Sequence, residues 1–284
     1  MGFFVIVYSR ESVQHRERIT RPDMVIYAGG SARRTRMLQE CLSVPVVSIA
    51  AGPELDIADV IAISHRKVTN VIAQINCGHF SSLGSKLGII AADTRTLVPH
   101  LNRNGIELES QGKPRNWGAV QRIFENMDNS SKNTGIHPFY LVKSGSVYHS
   151  PNDKLELADK KVRTISLDAR VVSELATDEG FRRYLANFLE FYEMAFYSDN
   201  GIEQTTPSHL SAGLSLPLLT KIGAVLSIGG DAYGSVTFPA TLKEATYIAA
   251  VGFSTDILQK IDPQVEQKIA SLSWLSAVVN HSLV

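Results

Sequence analysis

The stretch Met24-Val25-Ile26-Tyr27-Ala28-Gly29-Gly30-Ser31-Ala32-Arg33-Arg34 reads as a buried strand, a glycine pair, a serine and two arginines that open a helix. A short, continuous apolar run before glycine suits a strand covered on both faces. Glycine lets backbone approach a ligand closely. A helix N-terminus aims N–H groups and partial positive charge at whatever precedes it, and arginine adds forked donors that match phosphate oxygens. Together these features describe an anion site. The plainer reading is a strand–turn–helix with a serine cap and solvated arginines, and spacing alone does not separate the two.

Outward from this stretch, Phe3–Tyr8, Val44–Ile49 and Leu87–Ala91 read as further strands, and Ala32–Cys41 and Ile57–Ile75 as helices. In the second helix Ile57, Val60, Ile61, Ser64, Val68, Val71, Ile72 and Ile75 share one stripe, with Asp56 as its N-cap. Asn116 caps a helix over Trp117–Met127, after which the polar stretch 128–135 reads as a loop. Strands are expected at Phe139–Lys143, Val162–Leu167, Ile222–Ile228 and Gly234–Phe238, with a turn at Gly229-Gly230-Asp231. A long amphipathic helix opens at Thr177 and runs to about Phe196; Leu210–Leu219 follows, Pro239 opens another helix, and Pro263–Asn280 closes the chain. Strand–helix alternation followed by paired strands predicts an α/β fold with a mixed twisted sheet and flanking helices. Sites in such folds sit where strand ends meet helix starts.

Composition narrows the function. The chain has 284 residues, 44% hydrophobic and 20% charged, as in ordinary globular proteins. Lys plus Arg equals Asp plus Glu at 28 each, so no global positive field recruits nucleic acid. No run approaches the roughly 18 apolar residues of a membrane span. Met1–Tyr8 lacks a preceding basic region, and Ile6 stands where a myristoylation motif wants Ser or Thr. A cytoplasmic protein without nucleic-acid or membrane partners is therefore expected. Cys41 and Cys77 read as buried thiols, and His65, His79, His100, His137, His149, His209 and His281 show no metal-ligand spacing. The aromatics Phe181, Tyr184, Phe188, Phe191, Tyr192, Phe196 and Tyr197 step at helical intervals and read as core.

Two more segments carry chemistry. In Ile89-Ile90-Ala91-Ala92-Asp93-Thr94 a carboxylate ends an apolar strand, where it suits metal binding, water orientation or turn capping. In Gly112-Lys113-Pro114 a lysine precedes a capped helix, within reach of a phosphate or simply in solvent.

The order of these signals resembles the Maf family of nucleotide pyrophosphatases. That family's S-x-R-R is matched by Ser31, Arg33 and Arg34, with Ala32 in place of its usual proline. Its lysine–alanine pair is matched by Lys67-Val68, its A-D-T by Ala92-Asp93-Thr94, and its K-P by Lys113-Pro114. Ala212-Gly213, the glycine turn near 229 and Thr237-Phe238-Pro239 echo its later segments. The resemblance spans roughly residues 24–250. It implies an inosine-triphosphate-pyrophosphatase-like fold, two lobes around a central cleft, in a domain over 24–252. An N-terminal extension (1–23) and a C-terminal helical extension (253–284) would flank that domain.

The implied activity is hydrolysis of a nucleoside triphosphate, non-standard or pyrimidine bases among the candidates, to the monophosphate and pyrophosphate with Mg²⁺ or Mn²⁺. Ser31, Arg33 and Arg34 would cradle phosphates, and Lys67 and Lys113 would neutralise them. Asp93 would bind metal or activate water, with Glu54 as the nearest match to the family's acidic pair. Lys67 and Asp93 are the implied catalytic residues, and a homodimer is the implied assembly. The glutamine motif is replaced by Leu218-Leu219-Thr220-Lys221. A non-catalytic relative that binds nucleotide or a protein partner is the competing reading, and a site for another phosphorylated ligand is a third.

Overall fold

The computed structural model describes residues 21–53, 59–78, 86–111, 114, 116–134, 140–149, 159–167, 169–183, 185–186, 225–230, 234–239, 253, 255–273 and 275–276. The expected strand at Phe3–Tyr8 and the helix at Leu210–Leu219 lie outside them.

Strand β1 (Met24–Ala28) leads through Ser31 into helix α1 (Ala32–Cys41) and on to β2 (Val46–Ile49). Helix α2 (Val60–Asn76) then delivers the chain to β3 (Leu87–Asn102), which turns back as β4 (Gly105–Gln111). Helix α3 (Trp117–Thr134) is followed by β5 (Tyr140–His149), β6 (Asp159–Leu167) and α4 (Ala169–Leu175). The hairpin of β7 (Val225–Gly230) and β8 (Gly234–Pro239) and the helices α5 (Thr255–Ile261) and α6 (Val265–Ser271) complete the described elements. The sheet runs β2-β1-β3-β5-β6-β7-β8, with β4 beside the far end of β3. β1 is parallel to β2 and β3, and the other pairings are antiparallel. The fold is thus mixed α/β, with an open sheet flanked by helices.

Alternation along β1 and β3 sends side chains to opposite faces. On one face Val25, Tyr27, Ile90 and Ala92 pack against Met37, Leu38 and Cys41 of α1 and Ile257, Leu258, Ile261 and Val265 of α5 and α6. On the other, Ile26, Ala28, Ile89 and Ala91 pack against Val68 and Val71 of α2. A separate core joins Val98, near the far end of β3, to Val120, Phe124 and Met127 of α3 and Val172 and Leu175 of α4, with Phe181 and Phe124 in ring contact at 6.3 Å. Each such fully buried aliphatic or aromatic side chain contributes about 1.5–3 kcal/mol relative to exposure.

Several expectations change. β3 continues well past Ala91 to Asn102. The α2 N-cap is Asp59, whose carboxylate accepts from the N–H groups of Ile61 and Ala62; Asp56 lies outside the described residues. Helix α3 continues through the supposed loop, because its polar residues find partners. Asp128 accepts from Lys132 and from Ser173 of α4, and Ser130 donates to the Pro99 carbonyl. Burial raises the Asp128 carboxyl, but the bonds from Lys132 and Ser173 outweigh it and hold it below its ordinary value. Cys41 is buried as expected, whereas Cys77, just beyond the α2 stripe, is exposed. Pro239 is the last residue of β8, and the helix expected to follow it lies outside the described residues. Thr177 opens a helical stretch over 178–183, its hydroxyl accepting from the Gly180 N–H.

Asp262 fixes the C-terminal helices onto α1. Its carboxylate is 2% exposed and accepts from Ser43 N–H at 2.9 Å, Ser43 Oγ at 2.6 Å, Gln264 N–H at 3.0 Å and Lys268 Nζ at 2.8 Å. Burial pushes this carboxyl up, but the bonds from Lys268, Ser43 and the Gln264 and Ser43 backbone dominate and hold it far below the carboxylate range. A depressed folded-state pKa contributes stability above the unfolded value, and that stability is lost as pH falls. Asp262→Asn should therefore lower unfolding free energy by about 1.5–3 kcal/mol at pH 7. The gap from wild type should narrow below about pH 4. Urea titrations of both proteins across pH 2.5–7 check it, and a gap constant with pH would refute the charged role.

Candidate functional site

β3 is apolar up to Ala92 and again from Leu97, but between them Asp93, Thr94, Arg95 and Thr96 are all buried. Four polar side chains in a strand interior are costly unless each is satisfied. Their partners come from both faces of the sheet.

On the α2 face, Lys67 Nζ donates to Asp93 Oδ1 at 3.1 Å and lies 3.5 Å from the Ala92 carbonyl oxygen. Arg95, two residues along β3 and so on the same face, donates through Nε to Asp93 Oδ2 at 3.1 Å. Asp93 is 4% exposed, Lys67 8% and Arg95 6%. The lysine reaches the carboxylate because it lies on the buried stripe of α2 with Val60, Ser64 and Val68. The helix comes close because Gly145 of β5 stands opposite Asp93 in the register, where a Cβ would meet the backbone of Val60 at 3.0 Å. Ser64 Oγ donates to the Gly145 carbonyl at 3.1 Å and fixes the approach.

On the α1 face, the Ser31 side chain accepts from the Arg34 N–H at 3.3 Å and caps the helix. Arg34, 9% exposed, donates to Tyr27 Oη at 3.3 Å and to Thr94 Oγ1 at 3.2 Å. Tyr27 also packs edge-on against Phe253, with ring centroids 5.8 Å apart. Gly29 has a local reason: a Cβ there would lie 2.6 Å from the Tyr27 ring and hydroxyl. Gly29 thus makes room for the tyrosine that holds Arg34, whereas a Cβ at Gly30 would meet nothing within 4 Å.

The two faces meet at a gap in the sheet. β5 lies along one edge of β3, pairing with residues 89–97. On the opposite edge β1 pairs with Leu87–Ile90 and β4 with Thr96–Asn102. Between Ile90 and Thr96 this edge faces no strand among the described residues. Helices α1 and α2 cover opposite faces, so the carboxyl end of β1 beside β3 is a topological switch point, where open α/β sheets form their ligand crevices. Ser31 and Arg34 flank it from one face, Lys67 from the other, and Asp93–Arg95 form its edge.

Of the sequence-derived candidates, Ser31, Arg34, Lys67 and Asp93 come together here. Arg33 is described by its backbone alone, and Lys113 and Glu54 lie outside the described residues. No family model matches this chain, and no curated protein sequence matches it. Tyr27 and Arg95 carry no role in the sequence reading, and Thr94 enters it only within the Ala92-Asp93-Thr94 match. Extending the strand through Asp93 would have exposed Arg95, since alternation places it beside the carboxylate.

A divalent cation fits these residues poorly. Among the described residues Asp93 is the carboxylate of the site, each of its oxygens receives a cationic donor, and those residues hold no group of three His, Cys, Asp or Glu suited to a metal.

Removing one member of a buried ion cluster is far more damaging than replacing the whole. Asp93→Ala should cost about 3–5 kcal/mol, whereas Lys67→Met/Asp93→Leu/Arg95→Met together should cost clearly less. Equilibrium urea unfolding of both variants checks this; equal losses would show that the three side chains are not energetically coupled.

Proposed function

We propose that the crevice receives the phosphates of a nucleoside triphosphate and that the protein hydrolyses it to the monophosphate and pyrophosphate. The observation that carries this reading is the meeting of three separated segments at one gap of β3, through the Arg34–Thr94 and Lys67–Asp93 contacts. These are three of the segments on which the resemblance to Maf pyrophosphatases rests. A helix N-terminus, an arginine and a lysine converging on one crevice suit a ligand with several negative charges.

In the proposed reaction water adds to the α-phosphorus, the bond from that phosphorus to the α–β bridging oxygen breaks, and pyrophosphate leaves. Cationic groups held in place before the reaction favour the charge that develops on the departing phosphates. Mg²⁺ or Mn²⁺ enters the proposal bound to the triphosphate, since such ions are commonly held by substrate phosphates with few protein ligands. A homodimer is the assembly the resemblance implies, and a cytoplasmic setting is proposed with it. Among the described residues, no helix is long and apolar enough to cross a membrane.

Purified protein with Mg²⁺ or Mn²⁺ should release pyrophosphate from at least one standard or modified nucleoside triphosphate. Asp93→Asn should reduce release to background. Silence across a full panel, with a triphosphate still raising the Tm, would replace hydrolysis by binding alone. Neither turnover nor a Tm shift would remove the nucleotide reading altogether.

A further inference from the structure

The hairpin of β3 and β4 presents apolar surface to solvent. Leu101, Ile106 and Leu108 are the exposed large hydrophobic side chains of the described residues, at 64%, 52% and 44%. Leu101 lies opposite Ile106 and Pro99 opposite Leu108, so the three exposed residues share one face of the ribbon. Glu107 and Glu109 occupy the other face. Glu109 pairs with His100 Nε2 at 2.7 Å, while Glu107 is exposed and has no ion-pair partner among the described residues.

The backbone beside these side chains is open as well. β4 pairs with β3 and with no other strand among the described residues, and Gly105–Glu109 are all exposed. Antiparallel ladders alternate between bonded and non-bonded residue pairs. The two-residue turn at Arg103-Asn104 closes on the pair Asn102–Gly105, which makes that pair and His100–Glu107 and Val98–Glu109 the bonded ones. Pro99, with no N–H to give, accordingly stands in a non-bonded pair with Leu108. Ile106 and Leu108 therefore turn their N–H and C=O groups toward the outer edge.

We propose that this edge binds an extended segment of another polypeptide that alternates apolar side chains with lysine or arginine, added to the sheet as a further strand. Strand addition draws affinity from main-chain bonds and specificity from alternate side chains. Here the apolar side chains would lie beside Ile106 and Leu108, and the basic ones beside Glu107 and Glu109. A second copy of β4 is the poorer occupant, because antiparallel registers centred on Glu107, Leu108 or Glu109 each set glutamate against glutamate. Charges that guard an edge against its own copies select a partner of opposite sign. The site is separate from the nucleotide crevice and does not depend on it.

The test is fluorescence anisotropy of a labelled peptide alternating valine and lysine, titrated with the full chain. It should bind at least about tenfold more tightly than the valine–glutamate peptide, and N-methylation of its alternate residues should weaken it as much. Glu107→Lys/Glu109→Lys, at two exposed positions, should reverse the preference. Leu108→Pro, which removes an outward N–H and no bond to β3, should weaken lysine-peptide binding about tenfold. The comparison of peptides on wild type stands even where a variant fails to fold. No binding of the lysine peptide, equal binding of both peptides, or indifference to N-methylation would each overturn the proposal. So would a folded double-lysine variant with unchanged preference. A wild-type dimer that Leu108→Pro dissociates would assign the edge to a second copy and overturn it too.

Discussion

One buried carboxylate organises this half of the molecule. Asp93 sits in the middle of β3 with a cation on each oxygen, between stretches of strand that belong to different cores. A buried ion pair adds little over apolar packing of the same shape, but an unmet charge there is heavily penalised. Its effect is therefore on which arrangement is allowed. A one-residue slip of β3 would turn Asp93 toward α1 and Thr94 toward Lys67, reversing every partner in the run. The polar stretch fixes the register of β3 and the approach of α2 at once.

The same logic explains what could be read from sequence. Around Met24–Arg34 the strand, cap and helix are local affairs: Ser31 caps its own helix, and α1 spans Ala32–Cys41 as its pattern predicts. β3 is different. Asp93-Thr94-Arg95-Thr96 looks like a strand end because nothing nearby in sequence satisfies it; its partners lie 26 residues away at Lys67 and 60 away at Arg34. Residues 128–134 mislead in the same way, since their helix depends on Ser173 and on the Pro99 carbonyl. Lys67 was legible as a family match but not as a buried lysine, although it falls three residues after Ser64 on the buried stripe. Arg95 was hidden by the misplaced strand end rather than by any lack of signal.

Tyr27 shows how the site is tied to the rest of the fold. Its hydroxyl accepts from Arg34, its ring packs on Phe253, and Gly29 keeps clear of it. Phe253 in turn belongs to the core that holds α5 and α6, which Asp262 pins to Ser43 at the end of α1. Helix α1 is thus held at its start through Tyr27 and just beyond its end through Asp262, in both cases against the C-terminal segment. The orientation of its N-terminus toward the β3 gap consequently depends on residues more than two hundred positions away. For the described residues, the C-terminal helices are as much a support of the unpaired edge of β3 as the strands that border it.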